Sequence, residues 1–355
     1  MARPKDGAKD SAKDGAAPAS GRRARSGVRD IRITDVAALA QVSPITVSRA
    51  LNNPEVVAPE TLRRVQQTVQ QLGYVPNRLA GSLSSSKSRL IAAIVPTVAH
   101  SLFSTSIQAF SDTMSRAGYQ VLLSLCGYNE ADELRVLDAA LSRRPEGLLL
   151  VGVARTAPLR ARLVSLQLPT VETWDSTDLP VDMLVGFSHY DVGVAVARHF
   201  IERGRRRPAI VSANDARARA RHDGFVQTMA AHGITDVADL SVAPPSSVAV
   251  GREKFAELLG MRRDIDCLFC GSDLLALGVL GAARERGIAV PDDLSVCGFG
   301  DLEFAAELRP ALTSVRVDGQ RIGTAAAQCL LARLSGEQAP RDIDVGFEIV
   351  ARDTA

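Results

Sequence analysis

Nine short, continuous apolar runs constrain this chain more than any other feature. The first five are LIAAIVP (90–96), YQVLLSLC (119–126), GLLLVG (147–152), PTVETW (169–174) and DMLVGF (182–187). Four more follow: RPAIVSA (207–213), CLFCGS (267–272), LSVCGF (294–299) and LTSVRV (312–317). Each is too short for a buried helix and does not alternate with polar residues, so each reads as a strand covered on both faces. Segments of helical spacing separate them. Apolar strands alternating with helices imply parallel sheets, and two series imply two doubly wound subdomains of an α/β fold. Ligands of such folds bind beyond the carboxyl ends of the strands, so two lobes would share a cleft.

The length of 355 residues suggests roughly two or three domains. No apolar run approaches the roughly 18 residues of a membrane span, and the N-terminus lacks the apolar segment of a secretory signal. A cytoplasmic protein with no membrane association is the expectation. Cys267 and Cys270 have the spacing of a redox or zinc pair, but on a strand they point to opposite faces and no second pair lies nearby. They read as reduced core thiols, with no metal and no cofactor. Charge is uneven: residues 1–88 hold 14 Lys+Arg against 7 Asp+Glu, and residues 89–355 hold 28 against 33. A basic first quarter on an acidic body points to a polyanion partner for the first part alone.

Residues 1–30, with their KDGA, KDSA, KDGA repeat and the RRAR cluster at 22–25, read as a disordered basic tail. It is either a solubilising tail or a weak contact to DNA phosphates. Residues 31–75 read as three short helices. Thr34 is expected to cap the first, from Asp35 to Gln41. Ser43 caps the second, with Pro44 at its first position. The third runs from Pro59 to Leu72 and stops at Gly73. Residues 76–88 read as a linker or a segment that folds on binding, and 89–355 as the two-lobed body.

Two helices and a short turn within TDVAALAQVSPITVSRALN form a helix-turn-helix. Val47 and Leu51 would face the core. Pro44, Ile45, Thr46, Ser48, Arg49 and Asn52 would then face outward as a short-chained polar face that fits a major groove. Arg49 suits guanine or a phosphate, Thr46 and Ser48 suit phosphates or thymine methyls, and Ile45 suits only apolar base edges.

The stretch TDVAALAQVSPITVSRALNNPEVVAPETLRRVQQTVQQLGYVPNRLAGSL resembles the N-terminal signature of the LacI/GalR transcription regulators. The order D-V-A, V-S, T-V-S-R-x-L-N, L-G-Y-x-P-N-x-x-A carries the likeness, which extends to about residue 350. It implies a homodimeric regulator, expected to be a repressor, that reads a near-palindromic double-stranded operator. It adds Thr34 and Ser43 to the DNA contacts. It also implies a hinge helix from Asn77 to Leu83, with Asn77 and Arg78 on DNA and Leu83 wedged between base pairs in the minor groove.

The body resembles periplasmic sugar-binding proteins. That likeness implies lobe one at about 89–187 plus a helix at 319–334, and lobe two at about 188–315 plus a last strand at 344–350. Crossings are implied near 186–188, 314–318 and 335–344. Cleft candidates follow the strands: His100 and Phe103; Glu172, Trp174 and Asp175; Arg217 and Arg221; Ser272; and Asp301. Arg221, Gly224 and Phe225 match the family's Arg-x-x-Gly-aromatic element, whose arginine holds the effector. Trp174 suits either the core or the cleft lip, His100 a helix cap as well as a ligand, and Arg217 a solvated face as well as an anion. Where the family often has Asn-Asp the chain has Ser272-Asp273, and after VCGF it has Gly300-Asp301 in place of two acids. One acid fewer, together with Arg221, favours an acidic ligand over a neutral sugar. VETWD, DMLVGFSH and LLARLSGE are most similar to the family's gluconate-utilisation repressors, which implies gluconate or a related sugar acid as effector. The rival reading is a sugar-binding transport protein without a gene-regulatory role. An enzyme is not expected: GxxxxGK[ST], HExxH and GxSxG are all absent.

Overall fold

A computed structural model describes residues 31–75, 88–98 and 101–355. The chain divides into two compact units, Met1–Ser85 and Ser86–Ala355.

In the first unit, α1 spans Ile33–Ala40, α2 Pro44–Asn52 and α3 Pro59–Leu72. The three bury one small core of Val36, Ala37, Ala40, Val47, Ala50 and Val65, with Val42 and Leu51 packed against it. The small alanines let α1 and α2 approach closely. Gln41 turns the chain in the left-handed region, at φ 53°. Ser43 caps α2, its Oγ accepting the Thr46 N–H at 3.1 Å. Gly73 ends α3 with φ 62°. The cap expected at Thr34 is corrected. The helix starts two residues earlier, at Ile33, and the Asp35 carboxylate accepts the Arg32 N–H at 2.8 Å. Thr34 therefore lies within the first turn, because the longer reach of Asp35 serves the helix start.

The second unit holds two six-stranded sheets. The first has order β11-β5-β4-β3-β1-β2 and the second β12-β10-β9-β8-β6-β7. Sheet one contains β1 (Leu90–Val95), β2 (Gln120–Leu125), β3 (Gly147–Val151), β4 (Thr170–Thr173), β5 (Met183–Gly186) and β11 (Asp342–Asp344). Sheet two contains β6 (Pro208–Ala213), β7 (Ala238–Val242), β8 (Cys267–Cys270), β9 (Ser295–Phe299), β10 (Thr313–Arg316) and β12 (Glu348–Val350). All pairings are parallel except β10 with β12. All nine apolar runs became strands. The edge strand β7 was not anticipated, because its exposed positions carry polar residues and no continuous apolar signal.

Lobe one is completed by α4 (Ser101–Arg116), α5 (Glu130–Leu141) and α6 (Ala157–Leu166). Lobe two carries α7 (His189–Glu202), α8 (Ala216–Ala231), α9 (Val248–Met261), α10 (Asp273–Glu285) and the short α11 (Phe304–Glu307). The chain crosses between the sheets three times. From β10 it returns to lobe one as α12 (Gly319–Leu334), which packs on α4. The last crossing lies at 345–347, not 335–344. Residues 342–344 pair with β5 of sheet one and only 348–350 join sheet two, so the expected strand 344–350 is two short strands in different sheets. All five cysteines are free and buried, and burial pushes their thiols up, Cys126 to about 11.

Removing the cap of α2 tests the first unit. Ser43→Ala is expected to cost about 1 kcal/mol of local stability. Faster amide exchange in α2 of the full-length chain would report it; unchanged exchange would show that the cap is idle.

Candidate functional site

The outer face of α2 presents Pro44, Ile45, Arg49 and Asn52 exposed, with Thr46 and Ser48 half-buried. Ile45 is 66% exposed, an apolar side chain with nothing of its own unit over it. Thr46 Oγ1 lies 2.9 Å from Ser43 Oγ, and Asn52 Nδ2 donates to Ser48 Oγ at 3.3 Å. These bonds within the helix order its polar side chains before any partner arrives. Thr34 is exposed on α1. Asn77, Arg78 and Leu83, the expected hinge contacts, lie outside the described residues.

Within the second unit, a cleft of about 1400 Å³ opens between the lobes. Phe103, Trp174, Arg217, Arg221, Ser272 and Asp301 are on its wall. His100 lies outside the described residues. Arg221 sits on α8, which starts after β6 at an Asp215 cap that accepts the Arg217 and Ala218 N–H groups, each at 3.0 Å. The family's glycine explains why Arg221 reaches the cleft. A Cβ on Gly224 would collide with the Tyr190 carbonyl of α7, and one on Gly193 with the Arg221 carbonyl. Only a glycine pair lets α7 and α8 touch backbone to backbone.

Arg221 is 6% exposed. Its Nη1 donates to His189 Nδ1 at 2.8 Å, and its guanidinium lies 4.2 Å from the centre of the Phe299 ring. Burial pulls its pKa down to about 10, which leaves it charged at neutral pH. Arg217 lies 5.1 Å from the centre of the Phe103 ring in lobe one. Arg221 Nε and Arg217 Nη1 are buried without a hydrogen-bond partner. Two guanidiniums with idle donors at one spot in a half-dry cleft fit an incoming carboxylate or phosphate.

The acids behave differently from expectation. Glu172 is fully buried and is not part of the cleft wall. Its two oxygens accept the Ala154 and Val181 N–H groups at 2.7 Å each, so it ties two loops of lobe one together. Asp175 is also off the wall, held by Arg155 Nη2 at 2.5 Å and by the Ser176 N–H. Both were expected as ligand contacts; the structure uses them for buried backbone and charge satisfaction. Ser272 lines the cleft, but its Oγ caps α10 by accepting from Leu275 N–H at 3.3 Å. Asp301 lines the cleft with both oxygens engaged, one by Arg316 and one by Arg352, at 2.6 Å each. Beneath it, buried Asp273 accepts from Ser314 Oγ and Leu302 N–H, both at 2.6 Å, and so anchors the loop that carries Asp301. Burial pushes the Asp273 carboxyl up to about 6.

Trp174 is both core and cleft wall: 1% exposed, with φ 61°, and its Nε1 donating to Ser106 Oγ at 2.8 Å. His189, Phe299 and Arg316 were not foreseen as site residues. His189 stands inside a quoted stretch, DMLVGFSH, but nothing local marks a histidine at a helix start as a cleft residue.

Residues 32–77 match the model of bacterial regulatory proteins of the lacI family, and residues 197–355 match a periplasmic binding protein-like domain. The HTH-type transcriptional regulator GntR of Pseudomonas aeruginosa is 37% identical over 91% of this chain and 95% of its own length. A LacI-family regulator structure from Silicibacter pomeroyi superposes with TM-score 0.86 at 30% identity, covering 91% of this chain and 99% of that one. The structure of GntR from Chromobacterium violaceum gives TM-score 0.72 at 35% identity over 75% of this chain and 98% of that one.

The helix contact under Arg221 can be tested without touching the arginine. Gly224→Ala forces α7 and α8 apart and is expected to destabilise the second unit by about 1–3 kcal/mol. The denaturant midpoint of the full chain should fall; an unchanged midpoint would mean that the backbones yield freely.

Proposed function

The chain belongs to the LacI family of bacterial transcriptional regulators, whose members couple DNA binding to a small effector, and from that we propose that its effector is a sugar acid of the gluconate class. The carrying observation is the Arg217–Arg221 pair, whose buried donors Nη1 and Nε await an acceptor. A carboxylate taken up there gains charge-assisted hydrogen bonds that a neutral sugar does not offer. Asp301, bound on both oxygens by arginines, adds little repulsion for an anion. The rim carries Glu303, Glu307, Asp318 and Glu348. Hydroxyl groups donate well to such acids, so an acid with a polyol tail suits the cleft: charge inside, hydroxyls toward the rim.

In this reading the protein is a homodimeric repressor on a near-palindromic operator, and the sugar acid releases it. Leu123 and Leu125, exposed by 41% and 51% on the edge strand β2, support a self-association face. Two identical helix-turn-helix units then read two half-sites. Arg49, on the outer face of α2, takes a base or phosphate, and Ile45 meets an apolar base edge. The proposed hinge contacts Asn77, Arg78 and Leu83 act beside them. Tenfold release needs the effector to favour the released state by about 1.4 kcal/mol.

Two experiments test this. Calorimetry should detect gluconate-class binding that Arg221→Ala weakens by about 1.5–3 kcal/mol; no heat with any sugar acid would sink the effector assignment. With an operator selected from random duplexes, Arg49→Ala should cost about 1–3 kcal/mol in a gel-shift titration at fixed salt. Equal affinity of the two proteins would remove Arg49 from the interface.

A further inference from the structure

His189 opens α7 immediately after the first crossing, Gly186–Ser188, where the chain leaves lobe one. The crossing is tight: a Cβ on Gly186 would collide with the Asp175 backbone. The His189 ring lies within hydrogen-bond reach of the Trp174 backbone, and the residue is 3% exposed. Each of its nitrogens has a partner from a different lobe. Nδ1 lies 2.8 Å from Arg221 Nη1 of lobe two, and Nε2 lies 3.0 Å from the Trp174 carbonyl of lobe one.

The chemistry of the partners settles the tautomer. A guanidinium only donates, so Nδ1 accepts; a carbonyl only accepts, so Nε2 carries the proton and donates. The ring is neutral, in keeping with burial and the nearby Arg221 and Arg217, which push its pKa well down. Trp174 continues the chain of bonds. Its Nε1 donates to Ser106 Oγ, and that hydroxyl donates to the Phe103 carbonyl, each at 2.8 Å. Phe103 in turn offers its ring face to Arg217. Both anion-seeking arginines of α8 thus rest on lobe one, one through His189 and one on an aromatic face.

We propose that His189 is a positioning residue for the effector: its neutral imidazole aims the Arg221 guanidinium into the cleft and ties it to the backbone of the opposite lobe. With Nη1 held by His189 and the guanidinium plane on Phe299, the remaining edge of Arg221 is turned to the ligand. A carboxylate that pulls on that edge also pulls on the bond from His189 to the Trp174 carbonyl. The inference deepens the sugar-acid reading, and its binding arm rests on it.

Three full-length variants test the role. His189→Ala removes both bonds. His189→Phe removes them while filling the space. In His189→Gln the side-chain oxygen can accept from Arg221 and the amide can donate to the Trp174 carbonyl. Gluconate affinity by calorimetry is expected to fall about tenfold or more in His189→Ala and His189→Phe, and to stay within about threefold of the parent in His189→Gln. His189→Phe binding as tightly as the parent would overturn the proposal, since packing alone would then suffice. Trp174 is the only tryptophan of the chain, so its emission reports the lobe-one end of the relay without ligand. His189→Ala and His189→Phe should shift that emission and His189→Gln should not. If the parent binds no sugar acid, the effector reading fails, and emission decides the positioning role on its own: the same emission from all three variants overturns it.

Discussion

A guanidinium withdrawn from water must be surrounded by groups that accept its hydrogens or face its charge, or the fold loses several kcal/mol. Arg221 is such a group, 6% exposed at the floor of the cleft. Among the described residues no carboxylate forms an ion pair with it. What holds it is a neutral imidazole and an aromatic face, both weaker than a carboxylate. Much of the local architecture follows from this. The glycines of α7 and α8 bring His189 within reach, Gly186 lets the crossing pass close against the Asp175 backbone, and Phe299 ends its strand against the charge. An acid built into the wall would hold the arginine better and leave less of it for a ligand.

The acids of the second unit are correspondingly occupied elsewhere. Glu172 joins two loops, Asp175 holds Arg155, Asp273 anchors a loop, and Asp301 binds two arginines. Toward the rim, where water screens charge, Glu303, Glu307 and Asp318 have no ion pair among the described residues and Glu348 pairs with Arg316. The cleft therefore holds Arg217 and Arg221 where it is dry, with Asp215 4.0 Å from Arg217, and most of its acids where it is wet. That polarity belongs to no single residue. It arises from where the strands of sheet two end: α8 rises after β6, whereas Asp301, Glu303 and Glu307 follow β9.

The architecture was legible because both-face burial writes itself into a sequence as uninterrupted apolar runs. Those runs survived as strands, and the three helices of the first unit followed from capping and stop residues at Ser43, Pro44 and Gly73. Legibility faded where the governing partner is backbone. Nothing in TVETWD says that the Glu172 carboxylate will meet the Ala154 and Val181 N–H groups, so an acid after a strand looked like a ligand contact. The Thr34 cap failed for a related reason: two residues could serve the helix start, and Asp35 reached back to Arg32. Arg221 was legible because Arg221, Gly224 and Phe225 match the family's Arg-x-x-Gly-aromatic element. His189 was not, because its role depends on a backbone carbonyl fifteen positions earlier and a guanidinium on another helix.

The interlobe position of both arginines bears on how binding could be felt at a distance. A ligand with equal affinity for two lobe arrangements shifts nothing, however tightly it binds. Differential affinity needs groups whose surroundings change when the lobes move. Arg217 on the Phe103 ring is such a group: a cation–π contact of this kind is worth about 0.5–2 kcal/mol. A carboxylate that draws Arg217 off the ring sets its own bond against that contact. The bond from His189 to the Trp174 carbonyl adds a second contact between the lobes, worth about 0.5–1.5 kcal/mol. Either lies close to the roughly 1.4 kcal/mol that separates tenfold occupancy states. An anion seated on this pair therefore need not reshape a domain to act; it need only favour one set of interlobe contacts over the other.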